Sequence, residues 1–398
     1  MKKIIAVILA MILTVGCFST SAFAVEEEEL LQFGEDGKFT VLHLTDIQDT
    51  YMFKEKTRKY INNILSMTNP DLIVLGGDNI AGFGSGFKWG VRTAIDNFMS
   101  IFEERGIKVA MVFGNHDDEG QATKQDMMEM YEQYDCFVGC TGFTDGERVG
   151  NYNLPIRSSD GSRDAFNIWL VDSGTYKNLD NDQGYAAVNK ATLDWYTEAS
   201  IALEEANGGK VPSLMFQHII VPEIYDALIE VDENTEGAIG YKPTDDSETK
   251  YYILPEGAKG QLLEHPCPPL YNEGQFETVK ERGDVLAIVT GHDHTNTFEV
   301  DHEGVKLINS PCVGYASYHN EENIGARVFI LDENDAENFE TYLINTEDAE
   351  SFVENEIKPV CDCDCHKDGF AGFIYSVKRL FWKLFRINKT CACGGVHY

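Results

Sequence analysis

From residue 39 onward, short apolar runs alternate with longer stretches whose apolar residues recur every three or four positions. Residues 39–44 (FTVLHL) predict a strand. Residues 54–67 predict a helix, because Tyr60, Ile61, Ile64 and Leu65 share one helical face. Residues 71–75 (DLIVL) predict a buried strand, 91–105 a helix closed by Gly106, 107–113 the next strand and 121–134 the next helix. This rhythm implies parallel βαβ units and an α/β class. It resumes with a strand over 165–171, a helix over 190–206 and a strand over 213–217. Residues 222–282 are rich in Gly, Pro and Tyr without a clear period, which predicts long loops over a site, with a candidate lid among them. From Val285 strands dominate, over 285–289, 298–301, 305–308, 327–331 and 339–343, and the acidic stretch that follows reads as a linker.

The polar residues gather where those strands end. Thr45-Asp46-Ile47-Gln48 follows the first strand, Gly76-Gly77-Asp78-Asn79 the second and Gly114-Asn115-His116-Asp117 the third. Gln217-His218 and Gly291-His292-Asp293-His294 close two later ones. Each cluster alone has an ordinary reading, since Asp or Asn after a strand caps a helix and a lone His is a hydrogen-bonded loop residue. Five of them in one topological position point to a ligand site beyond the carboxyl ends of the strands. Carboxylates, imidazoles and an amide oxygen suit divalent Mn, Zn or Fe. A carboxylate such as Asp78 can bridge two such ions about 3.5–4 Å apart, a pair that binds phosphate oxygens and acidifies water.

In order and spacing these residues resemble the calcineurin-like metallophosphoesterases, whose pattern runs Asp-x-His, Gly-Asp, Gly-Asn-His-Asp/Glu, a lone His, then Gly-His-x-His. The likeness covers Asp46 to His294 and extends to about Leu343. His218-Ile219-Ile220-Val221-Pro222-Glu223, Gly274-Gln275-Phe276, His294-Thr295-Asn296 and Gly325-Ala326-Arg327 resemble the branch that includes purple-acid-phosphatase-like proteins of fungi and plants. The resemblance implies a β-sandwich flanked by helices, over residues 37–346. It implies one metal on Asp46, Asp78 and His294, and a second on Asp78, Asn115, His218 and His292. It places His116 near the leaving-group oxygen as general acid or transition-state stabiliser, with Asp117 orienting it. Two positions depart from the pattern. Gln48 stands where the family has its first histidine, so its amide oxygen either coordinates or hydrogen-bonds to a metal-bound water. Ala81 stands where purple acid phosphatases carry a tyrosine, so no iron–tyrosinate colour is expected.

Charge narrows the substrate. With 32 basic and 66 acidic side chains the chain carries −34, which repels nucleic-acid backbones and leaves metal ions to attract a small phosphate ester. Tyr225, Tyr241, Tyr251, Tyr252 and Tyr271 could stack on a base or sugar, or pack the loops; Lys242, Lys250 and Lys259 could meet a phosphate, or only solvent.

The first 24 residues read as a bacterial export signal, with Lys2 and Lys3, an apolar core from Ile4 to Val15, and Ala22-Phe23-Ala24 for cleavage. The expected location is therefore secreted or cell-surface. Cys136 with Cys140, and Cys267 with Cys312, are candidate disulfides, with buried thiols the alternative. After an acidic linker over 347–360, residues 361–398 hold Cys361, Cys363, Cys365 and His366, an amphipathic basic helix, then Cys391, Cys393 and His397. Structural zinc is the expectation for this tail and disulfides the rival. Its helix offers association with the cell envelope. Two functions follow: a secreted dinuclear-metal phosphoesterase for mono- or diesters, or a cell-surface binding protein with a degenerate site.

Overall fold

The strands read as unbroken apolar runs because both faces of each are covered. In β1 (Lys38–Leu44), Phe39 and Val41 turn to one side, Leu42 and Leu44 to the other, and all four are buried. The computed structural model describes residues 31–179, 182–356, 389–390 and 396–397. After β1 come α1 (Glu55–Thr68), β2 (Leu72–Gly76), α2 (Gly82–Ser85), α3 (Lys88–Arg105), β3 (Lys108–Val112) and α4 (Lys124–Tyr131). Then follow β4 (Tyr152–Arg157), β5 (Asp164–Leu170), the hairpin β6 (Tyr176–Leu179) and β7 (Asp182–Tyr185), α5 (Lys190–Asn207) and β8 (Ser213–Phe216). A short α6 (Ile224–Ala227) leads into β9 (Ile229–Val231), β10 (Ile239–Tyr241) and β11 (Lys250–Ile253), then α7 (Gln275–Arg282). The chain continues through β12 (Val285–Thr290), β13 (Glu299–His302), β14 (Val305–Asn309), β15 (Gly325–Asp332), β16 (Glu340–Asn345) and α8 (Thr346–Glu356).

Two sheets carry the fold, a mixed α/β architecture. One has the order β16-β15-β1-β2-β3, with β1, β2 and β3 parallel and β15 antiparallel to β1. The other has the order β13-β14-β12-β8-β5-β4, with β14, β12, β8 and β5 parallel. They meet face to face through Val41, Val74, Val112, Leu214, Phe216, Val289 and Phe329, all buried. Phe216 and Phe329 touch edge to face at 5.7 Å across that interface. Leu65, Phe98 and Met128 on α1, α3 and α4 cover the outer face of the first sheet. Tyr196 on α5 and Phe276 on α7 cover that of the second.

Local chemistry sets the helix ends. The side chain of Thr123 accepts from Asp126 N and the Asp126 carboxylate accepts from Thr123 N, a capping box that starts α4. Gly106 ends α3 in the left-handed conformation that glycine adopts without strain.

Two expectations differ from the structure, and one hairpin was not anticipated. Residues 222–282 are not structureless: β10, β11 and β9 form a small sheet and α7 packs on the core. The acidic stretch begins as α8, where Asn345 Oδ1 accepts from Asp348 N and Ala349 is fully buried in the cluster that holds α1. The hairpin β6–β7 had no apolar signal to announce it. In the tail, Lys389–Thr390 pairs antiparallel with Val396–His397. Among the described residues, no helix is long and apolar enough to cross a membrane.

Candidate metal centre

Loops leaving β1, β2, β3, β8 and β12 converge at one edge of the sandwich. His218 Nδ1 lies 2.9 Å from the carbonyl of Gly76, and His292 N donates to Asp46 Oδ2 at 3.1 Å. The backbone is bent to achieve this. Asp46, Gln48, Asp78 and His292 have φ of 53°, 41°, 47° and 72°, the left-handed region that non-glycine residues avoid. Among the described non-glycine residues only Asn69 and Glu303 share it. Such backbone concentrates at functional sites and is held there by surrounding structure. Neighbouring glycines make room: a Cβ on Gly114 would lie 2.2 Å from Asp78 Oδ1, and one on Gly291 would lie 1.9 Å from Thr45 Oγ1 and 2.5 Å from Asp46 Oδ2.

The donor atoms are buried. Asp78, His218 and His292 form a cluster able to hold a metal ion, their ligand atoms all within 4.8 Å of one another. His218 Nε2 is 3.3 Å from Asp78 Oδ2 and 3.9 Å from Asp46 Oδ1, and His294 Nε2 is 3.2 Å from Asp46 Oδ1. Each of these two rings spends Nδ1 on a backbone carbonyl, Gly76 for His218 and Tyr318 for His294 at 2.7 Å. That contact makes Nδ1 the protonated nitrogen and leaves Nε2 to bind a metal. Gln48 Oε1 and Asn115 Oδ1 are buried without a hydrogen-bond partner. Buried oxygens seldom go unpaired, and with the nitrogen–oxygen donor set around them they fit a divalent ion.

The charges show the same strain. Burial alone would lower His218 and His294. The carboxylates overcome it: Asp78 and Asp46 leave His218 at about 9, and Asp46 leaves His294 at about 12. Burial, then the charge of His218, pushes His292 down to about 3. Burial would raise both carboxyls, but His294 and His218 hold Asp46, and His218 holds Asp78, below the usual range. The cluster therefore carries protons where a dication would sit.

His116 lies at the rim, its side chain about one-third exposed, with its N donating to Asp78 Oδ1 at 2.7 Å. Asp117 does not orient it. The Asp117 carboxylate is buried and accepts from Gly114 N at 2.7 Å and Ile80 N at 3.1 Å, pinning the loops after β3 and β2 together. Burial, then the charge of Asp78, pushes it up to about 7. The acid beside His116 is Glu119, whose Oε1 lies 2.9 Å from Nδ1.

The insert tyrosines pack mainly against the loops. Tyr225 stacks on Tyr241 at 4.1 Å and tilts against Tyr252, and Tyr271 Oη accepts from Ala187 N. The aromatic residues at the site are others: Tyr185 meets His292 edge-on at 4.4 Å, and Tyr318 stacks on His294 at 4.1 Å. The signal for Tyr185 was faint, a tyrosine closing a mostly polar hairpin, and Tyr318 lies in the loop between β14 and β15. Lys250 pairs with Glu230, Lys259 with Glu299, and Lys242 donates to the carbonyl of Asp245, so none is on the site. Cys140 is disulfide-bonded, whereas Cys136, Cys267 and Cys312 are free, so neither candidate bridge forms and the thiol alternative holds for those three. Cys361, Cys363, Cys365, His366, Cys391, Cys393 and the export signal lie outside the described residues, and His397 is described only as backbone.

A two-sheet sandwich with such donors at one edge defines a metallophosphoesterase. The model of the calcineurin-like phosphoesterases matches residues 39–296, and the chain belongs to that family, which uses a dinuclear metal centre. It is similar to "Probable inactive purple acid phosphatase 14" of Arabidopsis thaliana, 27% identical over 353 residues that cover 80% of this chain and 81% of the relative. It is also similar to "Phosphatase DCR2" of Saccharomyces cerevisiae, 26% identical over 299 residues that cover 67% of this chain and 46% of the relative. Among solved structures, a dimetal phosphatase from Danio rerio aligns at TM-score 0.45 and 14% identity, over 77% of this chain and 99% of that one.

Proposed function

We propose that the protein is an exported dinuclear-metal phosphoesterase acting on small phosphate mono- or diesters. The observation that carries the reading is the set of buried donors on five strand-end loops, two of them unpaired amide oxygens. In this reading Asp46, Asp78 and His294 hold one ion, with Gln48 beside it, and Asp78, Asn115, His218 and His292 hold the other. When bound, the ions supply positive charge to the phosphate oxygens and acidity to a water. The protein does the rest. Asp46 and Asp78 balance the charge, and His218 and His294 present Nε2 because Nδ1 is engaged. His116, at the rim, holds a proton for the departing oxygen. The net charge of −34 turns polymeric phosphates away and leaves small esters.

Hydrolysis of p-nitrophenyl phosphate and its bis ester, with Mn, Zn or Fe(II) added, tests the reading. Asp78→Asn and His292→Ala are each expected to cost more than the ~10–100-fold typical of outer partners of a metal site. Rates equal to the parent's in metal-loaded variants would refute it. Export predicts a secreted chain beginning at Val25, read by N-terminal mass. Tail zinc predicts that the metal count falls when residues after Lys358 are deleted.

A second reading is a binding protein with a degenerate site. Gln48 in the place of a histidine supports it, as does the word "inactive" in the name of the plant relative. Two bound ions with turnover would exclude it; one or none, without turnover, would favour it.

A further inference from the structure

Two groups at the site are ambiguous by their own chemistry. An amide can present oxygen or nitrogen, and a neutral imidazole can carry its proton on either nitrogen. In this protein both ambiguities meet at one hairpin. Asn115 Nδ2 lies 2.9 Å from the hydroxyl of Tyr176, the first residue of β6. That hydroxyl lies 3.5 Å from Glu119 Oε1, and the same oxygen lies 2.9 Å from His116 Nδ1. An ionised carboxylate only accepts, so both neighbours must donate to Glu119. Tyr176 has a single proton and gives it to Glu119. Its oxygen is then left to accept, which obliges the Asn115 amide to turn its NH2 toward Tyr176. Asn115 Oδ1, buried and without a partner, must face the other way. By the same logic His116 carries its proton on Nδ1 when neutral, and Nε2 is the nitrogen offered to substrate.

The hairpin is held where this works. Tyr176 pairs with Tyr185 across β6 and β7, with ring centroids 5.6 Å apart. Tyr185 backs the ring of His292 at 4.4 Å, and the Tyr176 ring meets that of His116 edge-on at 6.3 Å. One pair of tyrosines thus reaches both flanks of the donor cluster.

We propose that Tyr176 and Glu119 are positioning residues that form one directed hydrogen-bond chain, aiming Asn115 Oδ1 at the metal site and His116 Nε2 at the leaving group. The proposal rests on the phosphoesterase reading and predicts two separable defects. Tyr176→Phe keeps the ring and removes the hydroxyl, freeing the amide to flip. Glu119→Gln keeps the size and removes the charge that holds the His116 proton on Nδ1.

The test is titration calorimetry of the full chain with Mn(II) alone, followed by kinetics on p-nitrophenyl phosphate and an alkyl phosphate. Tyr176→Phe is expected to weaken metal binding by about tenfold or more, the scale of a lost outer partner. Glu119→Gln keeps an amide oxygen that can still accept the Tyr176 proton, so it is expected to lose less metal affinity than Tyr176→Phe and to lose kcat rather than affinity for substrate. Its loss falls mainly on the alkyl ester, whose departing oxygen needs a proton that p-nitrophenolate does not. Parental metal affinity in Tyr176→Phe, or equal losses on both esters in Glu119→Gln, would overturn the proposal while leaving the phosphoesterase reading intact. A parent chain that binds no metal would instead sink that reading, and the proposal with it.

Discussion

Loading the metal-free protein with metal should release two protons at pH 7. His218 sits between Asp78 and Asp46 and is raised to about 9; His294 faces Asp46 and is raised to about 12. Both are therefore protonated at neutral pH in the absence of metal. His292, pushed down to about 3 by burial and the charge of His218, is already neutral and contributes none. Asp46 and Asp78 are held below the usual range and are already ionised. A histidine must be neutral to bind a metal, so the count is one from His218 plus one from His294. Competition from the His218 proton alone weakens affinity at pH 7 by two pH units' worth. That is about 2.7 kcal/mol, or about a hundredfold, relative to the fully deprotonated ring, and about fiftyfold relative to pH 9, where the ring is half protonated. The sign is fixed because these are raised pKa values. In the metal-free protein the ion pairs add stability that is complete below the unfolded histidine value near 6.5. It is lost as pH rises through about 9 for His218. Calorimetry at pH 7 in two buffers of different ionisation enthalpy gives the proton count directly. Fewer than one proton per loaded protein, or an affinity flat between pH 6 and 8, would refute the reasoning.

Gly291→Ala places a methyl 1.9 Å from Thr45 Oγ1 and 2.5 Å from Asp46 Oδ2, so it should displace Asp46 and weaken metal binding while the fold survives. Parental metal affinity in the variant would show that the loop gives way instead. Arg327 on β15 is buried, donating to Glu299 Oε1 at 3.0 Å, Thr297 O at 2.7 Å and Asn309 O at 3.1 Å, and so ties one sheet to the other. Arg327→Met should cost about 1–3 kcal/mol in urea unfolding, because it takes the donor from the carbonyls of Thr297 and Asn309 and leaves Glu299 only Lys259 at 3.9 Å; no measurable loss would count against this tie between the sheets.

The strands and their terminal loops were legible because burial on both faces leaves an apolar run that stops abruptly at Gly, Asp or Asn. Residues 72–75 end at Gly76-Gly77-Asp78, and the structure bends the chain at that point. The ring of supporting groups was not legible. Glu119 touches His116 only because the loop after β3 curls back, and a charged residue in a loop looks the same whether it is solvated or engaged. Tyr176 and Tyr185 stand at the ends of a hairpin whose intervening residues are polar apart from Leu179, so no period marks it. The tyrosines that were noticed, Tyr225, Tyr241 and Tyr252, pack against one another instead. Composition also misled at 347–356, where acidity suggested a linker although the buried Ala349 anchors a helix.

The left-handed turns at Gln48 and His292 make this protein less stable with its site than it would be without it. Left-handed backbone costs a non-glycine residue on the order of 1–3 kcal/mol, and glycine almost none of it. Gln48→Gly would relax a φ of 41° and His292→Gly one of 72°. Random substitution under selection for folding alone would therefore move both positions toward glycine. A chain that still spells glutamine and histidine there is spending folding stability on side chains that the fold does not require.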